Sequence, residues 1–384
     1  MKVLQQLEVG ILIGMLTCAV AHAGSFSSFP GTRARSMAGA FTAVADDPSA
    51  VWYNPAGIAD DEHDLVMEYA QATTIDEKDG PLDGSQISWF AGGSLNTRFG
   101  DLGLFFYSPY TPKYWAADTG LQNTAWGHVH EIMRVFSLPY AVALFDGHLK
   151  LGLSLEYVDI DVGDSGLYLR DAYGIIHPYE LKDDSGDAFS GSAGMLCDLV
   201  DSGKSRLTVG LTWRLGSSTD IGSEAVSDLD TTQAAGDLFF EKPAGYDAGL
   251  AYKRKFSPHE SLLFSLQYGS ADWGGAMADG GSLSEATYAL GMEYQLTNKN
   301  AVLKVKSLRL GYYLSGMSGG PSTFGNPDVS GMTWGAGFTV GDISSAPNRC
   351  DRLRVDIGQE FRTQNNPGNG ETAMLTSITL NWAI

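Results

Sequence analysis

The chain of 384 residues is acidic and rich in glycine, with a formal net charge of −20, a pI near 4.6 and 47 glycines. Proteins that bind nucleic acid present a basic surface, so this charge excludes that class of partner. A hydrophobic content of 43% with a mean hydropathy of −0.09 excludes both a helical membrane protein and a disordered chain. The glycine excess, together with 11% aromatic residues, is typical of a β-protein with tight turns and closely packed backbones.

Residues 1–23 are predicted to be a signal peptide. They contain Lys2 near the start, an apolar run over about 9–20, and Ala-His-Ala at residues 21–23, which is an A-x-A cleavage pattern. The apolar run is shorter than the ~20 residues that a helix needs to span a bilayer. We therefore expect an exported protein that is cleaved after Ala23.

Residues 24–63 do not have the pattern of a strand. The stretch GTRARSMAGAFTAVADDPSAVWYNPAGIA begins at Gly31, is rich in small residues and contains a helix-compatible piece at about 35–45. It ends near an Asn-Pro-Ala-Gly turn at 54–57. A segment of this length before the first predicted strand is long enough to fold into the mouth of a barrel.

The turn at 54–57 indicates a change of chain direction. Pro55 fixes its own φ angle and excludes Asn54 from the helical region. The Asn54 side chain can then hydrogen-bond nearby backbone N–H groups. Gly57 is expected to permit a sharp exit toward the first strand at about Asp64.

From residue 64 onward the chain alternates apolar and polar residues, and this period of two predicts β-strands. The stretch LKLGLSLEY at 149–157, for example, places Leu and Tyr on one face and Lys, Gly, Ser and Glu on the other. We predict fourteen strands, at about 64–74, 86–95, 99–109, 131–144, 149–162, 188–199, 205–216, 245–255, 261–271, 286–296, 307–317, 332–341, 351–363 and 371–383.

Two features favour a transmembrane antiparallel β-barrel over residues 64–384, rather than a soluble β-sandwich, which alternates as well. First, the apolar face recurs on every strand through to Trp382, while the polar face mixes small and charged residues, as in a wet lumen. Second, the connections alternate between short and long, and outer-membrane barrels combine an even strand number with short periplasmic turns and long outer loops. The longest connections are 110–130, 163–187 and 217–244. The last two are acidic, which favours a neutral hydrophobic molecule or a basic partner over a free anion.

The third predicted strand, which begins GDLGLFFYSPYTP at Gly100, loses its strict alternation at Phe105-Phe106. Glycine weakens strand pairing and proline removes a ladder hydrogen bond. The pattern indicates either an opening in the barrel wall or the end of a strand beneath a long loop. The residues that would form a lateral gap are Gly100, Gly103, Phe105, Phe106 and Pro109.

The N-terminal residues resemble those of a known family. The pattern consists of Gly31, Ala-Gly-Ala at 38–40, Ala-Asp-Asp at 45–47 and Asn-Pro-Ala at 54–56. It resembles the FadL/TodX family of outer-membrane transporters for fatty acids and other hydrophobic compounds. The resemblance is close over this segment and covers the rest of the chain as strand count and layout.

The resemblance implies a fourteen-stranded barrel of a Gram-negative outer membrane, with residues 24–63 as a plug, or hatch, inside the lumen. It implies that long-chain fatty acids, hydrocarbons or lipids pass by plug-gated diffusion and leave by a lateral gap at the third strand. Outer-membrane lipids and hydrophobic small molecules are then the expected partners. The plug residues expected to gate the lumen or to contact a ligand are Phe26, Phe29, Asn54, Pro55, Ala56 and Gly57.

Two alternatives remain open at this point. Within the family, GTRARSMAGAFTAVADD is closer to the branch of PorV-like proteins, which implies a plugged barrel that acts as an interaction partner in protein secretion. An outer-membrane hydrolase would need a Ser–His pair, but the chain has no G-x-S-x-G and no H-E-x-x-H motif. We therefore predict no enzymatic activity, no cofactor, no metal site and no nucleic-acid partner.

Overall fold

A computed structural model describes most of the chain from residue 30 to residue 383. The predicted signal peptide, Phe26, Phe29 and Pro109 lie outside the described residues. The described ranges are 30–59, 64–76, 86–108, 125–170, 176–181, 184–227, 233–272, 284–297, 303–318, 328–340, 352–366 and 369–383.

The described residues form two short α-helices, one 3-10 helix and seventeen strands. Helix α1 is Thr32–Arg35, helix α2 is Ala50–Tyr53, and the 3-10 helix is Pro55–Ile58. The strands are β1 Asp64–Asp76, β2 Gln86–Thr97, β3 Gly100–Tyr107, β4 Ala125–Leu144, β5 Leu149–Arg170, β6 Ile176–Leu181, β7 Asp184–Asp201, β8 Ser205–Arg214, β9 Ser217–Ser227, β10 Gln233–Lys242, β11 Ala244–Ser257, β12 Glu260–Asp272, β13 Ser284–Thr297, β14 Leu303–Ser318, β15 Asp328–Val340, β16 Arg352–Asn366 and β17 Asn369–Ala383.

None of the helices in the described part of the chain is long and apolar enough to cross a bilayer.

Fourteen of the strands form a closed antiparallel barrel. Strands β1 to β5, β7, β8 and β11 to β17 each pair with the next one along the barrel, and β8 pairs with β11. The last strand returns to the first, with Leu65 of β1 opposite Trp382 of β17. Closure leaves no sheet edge within the barrel, as a lipid environment requires. The fourteen predicted strands and the all-β barrel are confirmed.

Strands β6, β9 and β10 were not predicted, and they fall in the two longest predicted connections. β5 runs on to Arg170 and pairs there with β6, which pairs with β9, and β9 pairs with β10. The sheet therefore continues beyond the barrel on the side of the long connections.

The outer surface of the barrel is an apolar belt between two levels of aromatic residues. At one level, the ring of Phe106 contacts those of Trp89 and Phe136, with centroids 5.6 and 5.0 Å apart. At the other level, Phe145 is exposed in the turn after β4. From Phe136 to Phe145, a rise of ~3.4 Å per residue and a tilt of ~40° give a height of about 23 Å. This height matches the ~25 Å apolar band of a membrane barrel.

Inside the barrel lies the N-terminal segment, residues 30–59, which is buried along nearly its whole length. Helix α1 contacts β15, β16 and β17, while the 3-10 helix contacts β3, β4, β5 and β7. The segment therefore contacts separate parts of the barrel wall. The helix expected at about 35–45 is wrong: the helix lies at Thr32–Arg35, and hydrogen-bonded turns follow over 36–44.

A ring of inward-facing glycines makes room for this segment. At each of these positions a Cβ atom would lie within 3 Å of an atom of residues 30–59. Real Cβ contacts are not this short, so the wall approaches the segment only because these positions lack side chains. We call the ring the glycine collar, and it consists of Gly152, Gly194, Gly210, Gly249, Gly291, Gly311, Gly335 and Gly358 on eight strands.

Candidate functional site

Asn54 joins two parts of the N-terminal segment to the barrel wall. Its Oδ1 accepts a hydrogen bond from the N–H of Ala56 at 3.2 Å. Its Nδ2 donates to the carbonyl oxygens of Thr42 and of Met195 in β7, each at 2.9 Å. The predicted bond to nearby backbone N–H is confirmed, while the bond to β7 links the turn to a strand distant in sequence.

Pro55, Ala56 and Gly57 lie in the 3-10 helix that follows, with Pro55 at its first turn. The sharp exit expected at Gly57 stays a prediction, and the φ angle of Gly57 is not in the left-handed region. A Cβ atom on Gly57 would lie 1.8 Å from the carbonyl oxygen of Ala45. Glycine is needed there for the close approach of two chain stretches, and the exit at 60–63 lies outside the described residues.

Glu68 of β1 holds the start of helix α1. Its carboxylate accepts hydrogen bonds from the N–H of Gly31 at 3.1 Å, the hydroxyl of Thr32 at 3.0 Å and the guanidinium of Arg35 at 2.9 Å. Several donors around one buried carboxylate offset the cost of its burial. The only sequence signal for this anchor was an acidic residue at an inward position of a strand.

Arg33 ties the segment to a second part of the barrel wall, five strands from β1. It forms a bidentate pair with Glu293 of β13, at 3.1 and 2.7 Å, and also contacts Asp46 and Asp47. Glu293 pairs in turn with Arg309 of β14 at 2.7 Å. Burial lowers the pKa of Arg33, but Asp46 and Glu293 outweigh this effect and hold the pKa well above its ordinary value. Burial raises the pKa of Asp47, and Arg33 offsets only part of this rise.

A patch of apolar side chains lines the inside of β2 to β5, whereas inward residues elsewhere are mostly Ser, Thr and charged residues. Its aromatic rings contact one another, with Phe90 stacked on Phe105 at 5.8 Å and Trp52 of the segment edge-on to Tyr107 at 5.7 Å. It lies toward the long-connection end of these strands. We call this patch the apolar wall, and it consists of Phe90, Phe105, Tyr107, Met133, Val135, Val158 and Ile160.

The ladder between β3 and β4 is interrupted beside the apolar wall. Two consecutive residue pairs are missing from this ladder: Gly103 is not paired with Pro139, and Leu104 is not paired with Leu138. The pairs on either side are present, from Asp101–Ala141 to Tyr107–Val135. Pro139 has no N–H to donate, which accounts for part of the interruption.

The structure separates the residues predicted at the lateral gap. Gly103 and Phe105 face inward, and a Cβ atom on Gly103 would lie 2.5 Å from the Phe105 ring. Phe106 faces outward against Phe136, and Gly100 begins β3 near the short turn. The predicted loss of alternation is wrong, because buried and less buried residues alternate along β3. The sequence pattern misled because both faces of the strand carry aromatic residues here.

A cavity beside the segment is lined by residues of α1, β1, β2 and β17, including Thr32, Arg33, Ser49, Val66 and Phe90. It has about 10 Å³ of space for a water-sized sphere, which is room for roughly one water molecule. In this conformation the cavity does not admit a larger hydrophobic molecule.

No family model matches the chain, and no curated protein matches it in sequence. Solved structures do match, over nearly their whole length. A Pseudomonas aeruginosa FadL homologue has a TM-score of 0.61 at 12% identity, with 94% of this chain and 99% of that chain covered. The Ralstonia pickettii toluene transporter TbuX has a TM-score of 0.61 at 12% identity, with 92% and 98% covered. The P. putida toluene transporter TodX has a TM-score of 0.57 at 12% identity, with 92% and 98% covered.

The chain has the FadL/TodX barrel fold. The resemblance inferred from the N-terminal residues is therefore confirmed at the level of the fold. Within the FadL/TodX fold, this chain places an apolar wall, an interrupted β3–β4 ladder and a buried N-terminal segment in one region of the barrel.

Proposed function

We propose that the chain is an outer-membrane channel of a Gram-negative bacterium that passes hydrophobic molecules, with the N-terminal segment as its plug. The observation that carries the proposal is the apolar wall, which places seven buried apolar side chains on adjacent strands. A lumen that passes ions or sugars is lined by polar side chains instead. The structural neighbours support the same class of cargo, because two of them are toluene transporters. They are transporters rather than enzymes, which fits a non-enzymatic role.

The proposed route follows the apolar wall and leaves through the interrupted ladder between β3 and β4. Gly103 and Leu104 lie where the ladder is unpaired, and the ring of Phe105 lies against Gly103 on the inside. The small cavity beside the segment, with room for about one water molecule, supports a lumen that the segment blocks below this point. Passage then requires movement of the segment or of the residues that cover the wall.

Binding of a neutral hydrophobic dye to the purified barrel tests this proposal. N-phenyl-1-naphthylamine fluoresces in an apolar site, and its affinity should fall several-fold when Val135 and Val158 are both replaced by Thr. The double variant V135T/V158T keeps side-chain shape but adds hydroxyl groups to the wall. The matched control is Val142→Thr, which changes an outward residue of β4. Equal affinities in all three proteins would contradict a role for the wall.

A second candidate function is a plugged, non-conducting barrel that acts as an interaction partner in protein secretion, as in the PorV-like branch. The tightly seated segment and the sheet extension formed by β6, β9 and β10 favour it. A barrel that binds no hydrophobic probe, but co-purifies with a stable protein partner through this extension, would support the second candidate over the first.

A further inference from the structure

We propose that the lumen selects uncharged hydrophobic molecules against their carboxylates, and that the ion pair between Lys242 and Glu156 sets this selection. The inference rests on the proposed function and names the substrate class of the same site. The acidic connections favour a neutral hydrophobic molecule over a free anion, and the inference extends this preference to the barrel interior.

Lys242 and Glu156 form a buried polar chain that ends at the apolar wall. Both side chains are at most 2% exposed, and the ammonium group of Lys242 pairs with one oxygen of Glu156. Lys242 also donates to the hydroxyl of Ser190 at 3.0 Å. The other oxygen of Glu156 accepts from the hydroxyl of Tyr107, a member of the wall, at 3.2 Å. The cation next to the wall is therefore already neutralised.

Buried carboxylates outnumber buried cations in the remaining interior of the described residues. Eight carboxylates are buried there, at Asp64, Glu68, Asp101, Glu156, Asp247, Glu293, Asp356 and Glu360, against four cations, at Arg33, Arg35, Lys242 and Arg309. Three partly buried arginines are ion-paired as well, at Arg214, Arg354 and Arg362.

A substrate carboxylate beside the wall would face Glu156 without a cation of its own. It would either stay unpaired in a buried site or displace Glu156 from Lys242, and both are costly. An alcohol or a hydrocarbon meets no such penalty, since a neutral hydroxyl can exchange hydrogen bonds with Tyr107. Removing the charge of Glu156 should abolish the selection, because the ammonium of Lys242 then becomes available to a carboxylate.

The test compares two ligands of equal chain length, 1-decanol and decanoate, as competitors of N-phenyl-1-naphthylamine on the purified full-length barrel at pH 8. The wild-type protein should bind decanol about tenfold or more tightly than decanoate, the change expected for one uncompensated charge. In Glu156→Gln the ratio should shift toward decanoate by a similar factor. The double variant E156Q/K242M should restore the wild-type ratio, because it removes the cation too.

Glu360→Gln is the matched control, since it removes the carboxylate paired with Arg362 on β16, away from the apolar wall. Heat-modifiable migration in electrophoresis reports whether each variant is folded. If the wild-type protein binds neither ligand, the proposed function fails and this inference fails with it. If it binds decanoate as well as decanol, the function stands and the inference is overturned. An equal gain of decanoate binding in E360Q would overturn the role of Lys242. If E156Q does not fold, the ratio of decanol to decanoate affinity in the wild-type protein still tests whether the lumen selects uncharged molecules.

Discussion

At the scale of single residues, polar contacts hold the N-terminal segment in place. Only the contacts between neighbours in sequence were predictable. The bond from Asn54 to the N–H of Ala56 follows from an Asn before a Pro, because both partners are neighbours in sequence. The bidentate pair of Arg33 with Glu293 joins residues 260 positions apart, and such a pair depends on the closed barrel. No pattern in the sequence could assign Glu293 to Arg33.

Replacing Asn54 by Ala should loosen the segment without opening the barrel. The variant loses three hydrogen bonds and leaves the carbonyl oxygens of Thr42 and Met195 with fewer donors. We expect a loss of about 1–3 kcal/mol in the local stability of the segment. Hydrogen exchange of the backbone over 42–56 should become faster while exchange in β7 stays slow. Unchanged exchange over 42–56 would show that Asn54 does not anchor the segment.

Adding a methyl group to the glycine collar should displace the segment. In Gly210→Ala the Cβ atom would lie 2.1 Å from the carbonyl oxygen of Thr42, and a backbone atom cannot yield without moving the chain around it. We expect higher conductance in planar bilayers from a barrel that remains heat-modifiable. Gly316→Ala is the control, because its Cβ would meet only the Asp328 side chain at 3.3 Å. Equal conductance of both variants would contradict close seating on the collar.

At the scale of elements, the fourteen barrel strands were predictable because each strand has one face toward lipid and the other toward the wet lumen. A one-residue slip would turn the apolar face of a strand such as β5 into the lumen, so the sequence keeps a strict period of two. Strands β6, β9 and β10 lie outside the barrel, where this constraint is absent, and SSTDIGSEAVS of β9 does not alternate. The short helices of the segment also escaped prediction, because residues buried on all sides carry no amphipathic pattern.

A disulfide across the interrupted ladder should close the proposed lateral route. Leu104 and Leu138 are opposite but unpaired on β3 and β4, and cysteines at both positions would join the two strands. We expect oxidised L104C/L138C to lower the uptake of N-phenyl-1-naphthylamine by cells with an intact lipopolysaccharide layer, and reduction to restore it.

The control for this crosslink uses the same two strands. Leu102 and Tyr140 are paired, so a disulfide in L102C/Y140C adds little to a wall that is already closed. It should leave uptake unchanged. If the L104C/L138C disulfide forms fully and uptake stays at the wild-type rate, the molecules do not leave between β3 and β4.

At the scale of the whole molecule, the ladder of strands that closes the barrel forms independently of the N-terminal segment. Each of the fourteen strands has two neighbours, and hydrogen bonding around the barrel does not involve the segment. We therefore expect that deleting residues 24–57 leaves a heat-resistant barrel and raises its conductance in planar bilayers. A folded deletion variant that conducts no better than the full-length protein would show that the segment is not the plug of the lumen.

The most direct test of the account is the uptake rate of N-phenyl-1-naphthylamine into cells whose lipopolysaccharide layer excludes the dye. Cells that make the wild-type barrel should take up the dye several-fold faster than cells without it. In cells with equal amounts of folded V135T/V158T, the uptake rate should drop toward that of cells without the barrel. In cells with Val142→Thr, the uptake rate should stay at the wild-type value. If the wild-type barrel gives no faster uptake, or if V135T/V158T takes up the dye at the wild-type rate, hydrophobic molecules do not pass along the apolar wall.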